Sequence, residues 1–191
     1  MGYFMELTKV KAHYAAKLQA GGHTPQGVDW KDEAAQVDRL NALCLLFGRD
    51  EGYTLNDWGC GYGRLATMTK HSRYFGYDLV DHGDDFDRGE FTVSDKPTRI
   101  ADYTVASGLF NVMTGNRESW SEYVKSCFKL MEAKSRKGYG FNMLHSRADR
   151  KDDRLFYASP AWCLTWLEAH SRTSIIQTYS NWDFTVLVNK C

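Results

Sequence analysis

Apolar and polar positions follow two different periods along this chain. Residues 5–19 contain good helix formers and no breaker, which predicts a helix that Gly21-Gly22 ends. His23-Thr24-Pro25-Gln26-Gly27 is loop chemistry. Val37, Leu40, Leu43, Cys44 and Phe47 fall at helical spacing and predict a second helix over 32–47. Beyond residue 50 short apolar runs take over. They predict strands at 54–58, 74–78, 91–93 and 101–107, with a helix at 63–71 between the first two. An amphipathic helix follows over 117–134, with Trp120, Tyr123, Val124, Cys127 and Leu130 on one side. Residues 139–144 read as a fifth strand, the densely charged 145–158 as an exposed insertion, and 160–170 as a helix. Two last strand-like runs, 173–179 and 183–188, are joined too closely to be parallel. Strands alternating with helices predict a mostly parallel sheet covered on both faces, with an antiparallel C-terminal strand. A chain of 191 residues suits one domain, with 1–50 as a helical cover or lid and 51–191 as the core.

Composition narrows the function. Lys plus Arg number 24, as do Asp plus Glu, so no excess of positive charge advertises a nucleic-acid surface. The five cysteines include no C-x-x-C pair, which argues against a disulfide framework or a structural zinc site. His13, His23, His71, His82, His145 and His170 show no metal-ligand spacing, and Asp81 to Asp87 reads as a solvated loop, so no metal is expected. No apolar run approaches the ~20 residues that span a bilayer, and the N-terminus lacks the apolar core of a signal peptide. A reducing, cytoplasmic setting is the expectation.

The most informative segment is Asn56-Asp57-Trp58-Gly59-Cys60-Gly61-Tyr62-Gly63-Arg64, between a strand and a helix. Glycines there let the backbone approach a ligand, and a helix N-terminus behind them offers free amides. The spacing is G-x-G-x-G, where a dinucleotide site wants G-x-G-x-x-G. Asp57 is unwelcome beside a pyrophosphate and suits a cationic ligand. A nicotinamide oxidoreductase therefore ranks last.

Asp57-Trp58-Gly59-Cys60-Gly61-Tyr62-Gly63 resembles the D-x-G-C-G-x-G signature of class I S-adenosylmethionine-dependent methyltransferases. The resemblance implies a Rossmann-like, seven-stranded α/β fold of strand order 3-2-1-4-5-7-6, with S-adenosyl-L-methionine as cofactor. It implies that Asp57, Gly59, Cys60, Gly61 and Gly63 wrap the methionine part. Asp78, ending the second strand beside Leu79, would bind both ribose hydroxyls, and Asp95 the adenine amino group; Asp102 is a weaker candidate. The segment His23 to Trp30 with Gln36 and Arg39, Ser107-Gly108-Leu109-Phe110-Asn111 and Gly138-Tyr139-Gly140-Phe141-Asn142 also resemble a little-characterised bacterial and phage group. A loop held by Pro25 and Trp30 would close over the cofactor, with Gln36 and Arg39 reaching its carboxylate.

The fourth strand ends in Ser107-Gly108-Leu109-Phe110-Asn111, without the Asn/Asp-Pro-Pro or Pro-Cys of the common DNA methylases. Gly108 would allow close approach to the methyl donor, Asn111 would orient a nucleophile, and His23 is the preferred general base. Tyr157, Trp162 and Trp182 would wall the acceptor pocket. A small-molecule or glycan acceptor is favoured. The alternatives are a nucleic-acid or protein methyltransferase with the same cofactor site, and a non-catalytic partner subunit.

Overall fold

The computed structural model describes residues 3–83, 88–167, 172–176 and 179–190. Asp84, Asp85 and Asp87 of the acidic run, His170 and the fifth cysteine, Cys191, lie outside them, as do part of the helix expected over 160–170 and residues 177–178 of the expected strand 173–179. The described strands are β1 (Thr54–Trp58), β2 (Arg73–Asp78), β3 (Glu90–Val93), β4 (Ala101–Ala106), β5 (Ser135–His145), β6 (Tyr157–Ala158), β7 (Arg172–Ile176) and β8 (Asp183–Asn189). They form one sheet in the order β3-β2-β1-β4-β5-β8-β7, with the short β6 beside β5. Pairings from β3 to β5 are parallel. β8 runs antiparallel between β5 and β7. With β6 set aside, this is the order that the resemblance implies, and the expected Rossmann-like class is the one observed.

The helices are α1 (Tyr3–Gly21), α2 (Glu33–Cys44), α3 (Arg64–Met68), α4 (Arg117–Ala133) and α5 (Pro160–Leu164), with a 3-10 turn at Gln26–Val28. Three of these helices, α2, α4 and α5, start where a polar side chain satisfies a free amide. Asp32 accepts from the Ala35 amide at α2, Asn116 from Ser119 at α4 and Ser159 from Trp162 at α5. The central strands are buried on both faces, as a parallel sheet requires. Trp120, Val124, Phe128 and Met131 of α4 pack one face, which also receives Val10 of α1. Leu40 and Leu43 of α2 and Leu65 of α3 pack the other.

Three expectations need correction. The segment 145–158 is not simply exposed: Ala148, Phe156 and Tyr157 are buried. Its apolar end, Leu155-Phe156-Tyr157-Ala158, returns to the sheet, where β6 pairs with β5 and the Phe156 amide donates to the Asn111 carbonyl at 2.8 Å. β5 begins four residues earlier than its apolar run, at Ser135, because Arg136 and Lys137 can stay exposed while their backbone pairs. Asp102 has a structural task, accepting from both the amide and the hydroxyl of Thr54 at 2.8 Å and so fixing β4 against β1.

Candidate active site

The carboxyl ends of β1, β2 and β4 open on a cavity of about 810 Å³, the edge at which open α/β sheets bind ligands. The turn after β1 forms its floor. The amides of Gly59 and Cys60 donate to the Tyr77 carbonyl, at 2.7 and 3.2 Å. Asp78 clasps the same turn: Oδ2 accepts from the Gly61 amide and Oδ1 from the Val80 amide, each at 2.9 Å. Burial pushes the Cys60 thiol well above its ordinary range.

Asp57 lies behind this turn, on the cavity wall. Its Oδ2 accepts from the Tyr74 hydroxyl at 2.5 Å, while Oδ1 is buried with no hydrogen-bond partner. Burial pushes its carboxyl up to about 7, against the lowering effect of the Tyr74 bond. An orphaned carboxylate oxygen in a ligand cavity invites a cation or a hydrogen-bond donor.

The roof comes from the N-terminal quarter of the chain. Val28 rests against Gly61: a Cβ placed there would lie 2.8 Å from Val28 Cγ1. Trp30 rests against Gly108, where a Cβ would meet the indole at 2.9 Å. Both glycines have positive φ, 53° and 74°. Bare backbone therefore serves these positions twice, in conformation and in space. The Arg39 guanidinium stacks on Trp30 at 4.6 Å, pairs with the carboxylate of Asp183 and leaves Nε buried and unpartnered. Gln36 accepts from the Tyr62 hydroxyl at 2.6 Å.

Leu79 and Asp95 line the side beyond Asp78, and the Trp58 indole donates to the Asp95 carbonyl at 2.9 Å. At the exit of β4, Ser107, Gly108 and Asn111 line the cavity. Asn142 does not line it but accepts from the Gly108 amide at 2.9 Å, holding that turn from behind.

Other residues singled out from sequence, Pro25 among them, also lie off the cavity lining. Gly63 caps α3 behind the turn, and His23 is exposed with its ring 5.7 Å from that of His82; neither lines the cavity. The expected aromatic walls are also misplaced. Tyr157 is buried in the sheet, Trp162 packs against the α4 core and Trp182 is 44% exposed. In their place stand residues without a motif: His13, Tyr14 and Lys17 of α1, Asp29, His82, and Asp152 with Arg154. Only the four-residue spacing of His13 and Lys17, one helical turn, was visible beforehand.

No family model matches the chain. It is 30% identical over 156 residues to Rv1506c, a Mycobacterium tuberculosis protein that carries a methyltransferase name; the match covers 72% of this chain and 93% of that one. Among solved structures it resembles the N-methyltransferase NodS of Bradyrhizobium japonicum in complex with S-adenosylhomocysteine. There the TM-score is 0.67 at 11% identity, covering 94% of this chain and 97% of that one. It also resembles the 1,6-didemethyltoxoflavin-N1-methyltransferase of Burkholderia thailandensis, with TM-score 0.62 at 17% identity, covering 94% and 90%. The chain belongs to the methyltransferase family of Rv1506c and has the fold of the S-adenosylmethionine-dependent methyltransferases of class I. The site suits that cofactor, because the unpartnered oxygen of Asp57 offers negative charge to a ligand that carries a sulfonium and an ammonium.

Proposed function

We propose that the protein methylates an oxygen or nitrogen of a small-molecule or glycan acceptor, and that one cavity takes both cofactor and acceptor. The observation that carries this reading is the roof: Val28 rests on Gly61 and Trp30 on Gly108, and both line the cavity. Charge supports it too. Five lysines and arginines line the cavity against five aspartates, which gives no net attraction for a phosphate backbone. Solved methyltransferases of this fold act on compact molecules, 1,6-didemethyltoxoflavin in one case and magnesium protoporphyrin IX in another.

The cavity lining supports a set of cofactor contacts. Asp78 holds the ribose hydroxyls with the oxygens that also clasp the Gly61 turn, and Asp95 reaches the adenine. Asp57, Gly59, Cys60 and Gly61 surround the methionine part, with Trp30, Gln36 and Arg39 above it. When bound, the cofactor supplies a methyl group already activated by the sulfonium, so the chain's own task is mostly positioning. Ser107, Gly108 and Asn111 shape the transfer point, and Asn111, whose Oδ1 is buried without a partner, orients the acceptor.

Calorimetry with S-adenosylhomocysteine, followed by a screen of small acceptors for methyl transfer, tests the reading. Tight cofactor binding with turnover of a compact acceptor is expected. Submicromolar, salt-sensitive binding to DNA or RNA would overturn the acceptor class and leave the cofactor in place.

A further inference from the structure

Among the described residues Asp29 is the one non-glycine with positive φ, at 65°. That region disfavours residues with a side chain, although Asp tolerates it better than most. A residue held there directs attention to what the surrounding structure gains from it. Asp29 lies between Val28, seated on Gly61, and Trp30, seated on Gly108. It lines the cavity where the glycine turn faces the exit of β4.

From that place Asp29 holds two side chains of α1. Oδ2 meets Nε2 of His13 at 2.9 Å and Oδ1 meets Nζ of Lys17 at 2.6 Å. Burial opposes the charge of Asp29, but these two bonds hold its carboxyl below the usual range. His13 itself lines the cavity and is 34% exposed. With Nε2 committed to a carboxylate, the ring carries its hydrogen there and its free lone pair on Nδ1. No described residue is hydrogen-bonded to Nδ1. The charged and titratable groups around the pair are Lys17 and Tyr14 of α1, Asp78 at the end of β2, which acts on Tyr14, and Arg154, which acts on Asp29.

We infer that His13, oriented by Asp29, takes the proton from the acceptor, and hence that the acceptor atom is an O–H or N–H that arrives protonated. This rests on the methyl-transfer reading above. The acceptor's lone pair bonds to the methyl carbon, the carbon–sulfur bond breaks with its electrons kept by sulfur, and the acceptor's proton passes to His13 Nδ1 and then to solvent. Asp29 is a positioning residue: it sets the tautomer and stabilises the imidazolium that forms.

The test uses the full chain with S-adenosylmethionine and a panel of compact phenols, alcohols and amines, read as release of S-adenosylhomocysteine. His13→Gln keeps a hydrogen bond to Asp29 but has no basic lone pair. It should cut kcat on protic acceptors by about 100-fold or more, with the affinity for S-adenosylhomocysteine unchanged by calorimetry. Added imidazole should restore part of the turnover of His13→Ala. Independently of any acceptor, nitrogen NMR of the neutral His13 ring should show hydrogen on Nε2 and none on Nδ1. Asp29→Asn, which tolerates the same backbone, should erase that preference. Three results would overturn the inference: His13→Gln keeping most of its turnover, the opposite tautomer, or a wild type that binds the cofactor and methylates nothing in the panel. A wild type that does not bind S-adenosylhomocysteine would instead overturn the methyl-transfer reading, and this inference with it.

Discussion

The hydroxyl of Tyr74, on β2, donates to Oδ2 of Asp57, on β1, at 2.5 Å, while the other oxygen of Asp57 is buried in the cavity wall without a partner. One half of the carboxylate is thus held by the sheet and the other half is left for the ligand. Burial raises its carboxyl from the ordinary 3.8 to about 7. A raised carboxyl favours the folded state at low pH, and that contribution is lost as pH rises through about 7. The urea midpoint of the ligand-free protein should therefore fall between about pH 4 and pH 7, and Asp57→Asn should flatten the fall. Cofactor affinity should run the opposite way, rising through the same range as Asp57 ionises toward a cationic ligand. Calorimetry in buffers of different ionisation heat should register proton release on binding, and a pH-independent affinity would count against this role for Asp57.

Gly108→Ala places a methyl group 2.9 Å from the Trp30 indole at a backbone φ of 74°. The left-handed conformation alone costs alanine about 1–2 kcal/mol, and the ring must also move. Cofactor affinity should drop by about tenfold or more, and limited proteolysis should cut more readily near residues 25–30. Trp30→Ala should reproduce the loss of affinity without the backbone strain. Affinity unchanged in both would show that the roof does not hold the cofactor.

Asp78 accepts two backbone amides, and by proposal two ribose hydroxyls. Asp78→Asn replaces an acceptor oxygen with a donor that faces other donors, so S-adenosylhomocysteine binding should weaken by about 1–3 kcal/mol. The 2′,3′-dideoxy analogue of the cofactor should lose less in the variant than in the wild type, and an equal loss in both would separate Asp78 from the ribose.

The Arg39–Asp183 pair joins α2 to β8, with Asp183 only 1% exposed. Asp183→Ala leaves a largely buried guanidinium without its counter-charge and should destabilise the fold by about 3–5 kcal/mol. Removing Arg39 as well, as leucine, should recover part of that loss in urea melts. A single variant as stable as the wild type would mean that water reaches the guanidinium.

Local chemistry made the central half of the sheet legible. β1, β2 and β4 are apolar runs bounded by turn residues, and the glycine spacing with Asp57 and Asp78 marked the floor of the cavity. The roof was only partly legible. Pro25 and Trp30 suggested a loop that closes, but nothing in the sequence shows that Val28 and Trp30 meet glycines 33 and 78 positions further on. The proton acceptor favoured from sequence, His23, sits beside the loop in the chain, whereas the structure brings His13 of α1 to the cavity. That placement depends on how α1 lies against Asp29, a tertiary relationship that leaves no local pattern. The segment 145–158 misled because its charges outnumber its apolar residues, yet its few apolar residues, Phe156, Tyr157 and Ala158 among them, are buried against the sheet.

The bond between Arg39 and Asp183 spans 144 positions of sequence. On a ribosome, the glycine turn and both aspartates that flank it are synthesised long before β8 exists to anchor α2. A nascent chain thus carries its ligand floor well ahead of the fastening that steadies the helix beneath its roof. Premature release short of residue 183 would leave a product with every motif residue of the turn and an unsecured cover, which is a substrate for quality control more than an enzyme.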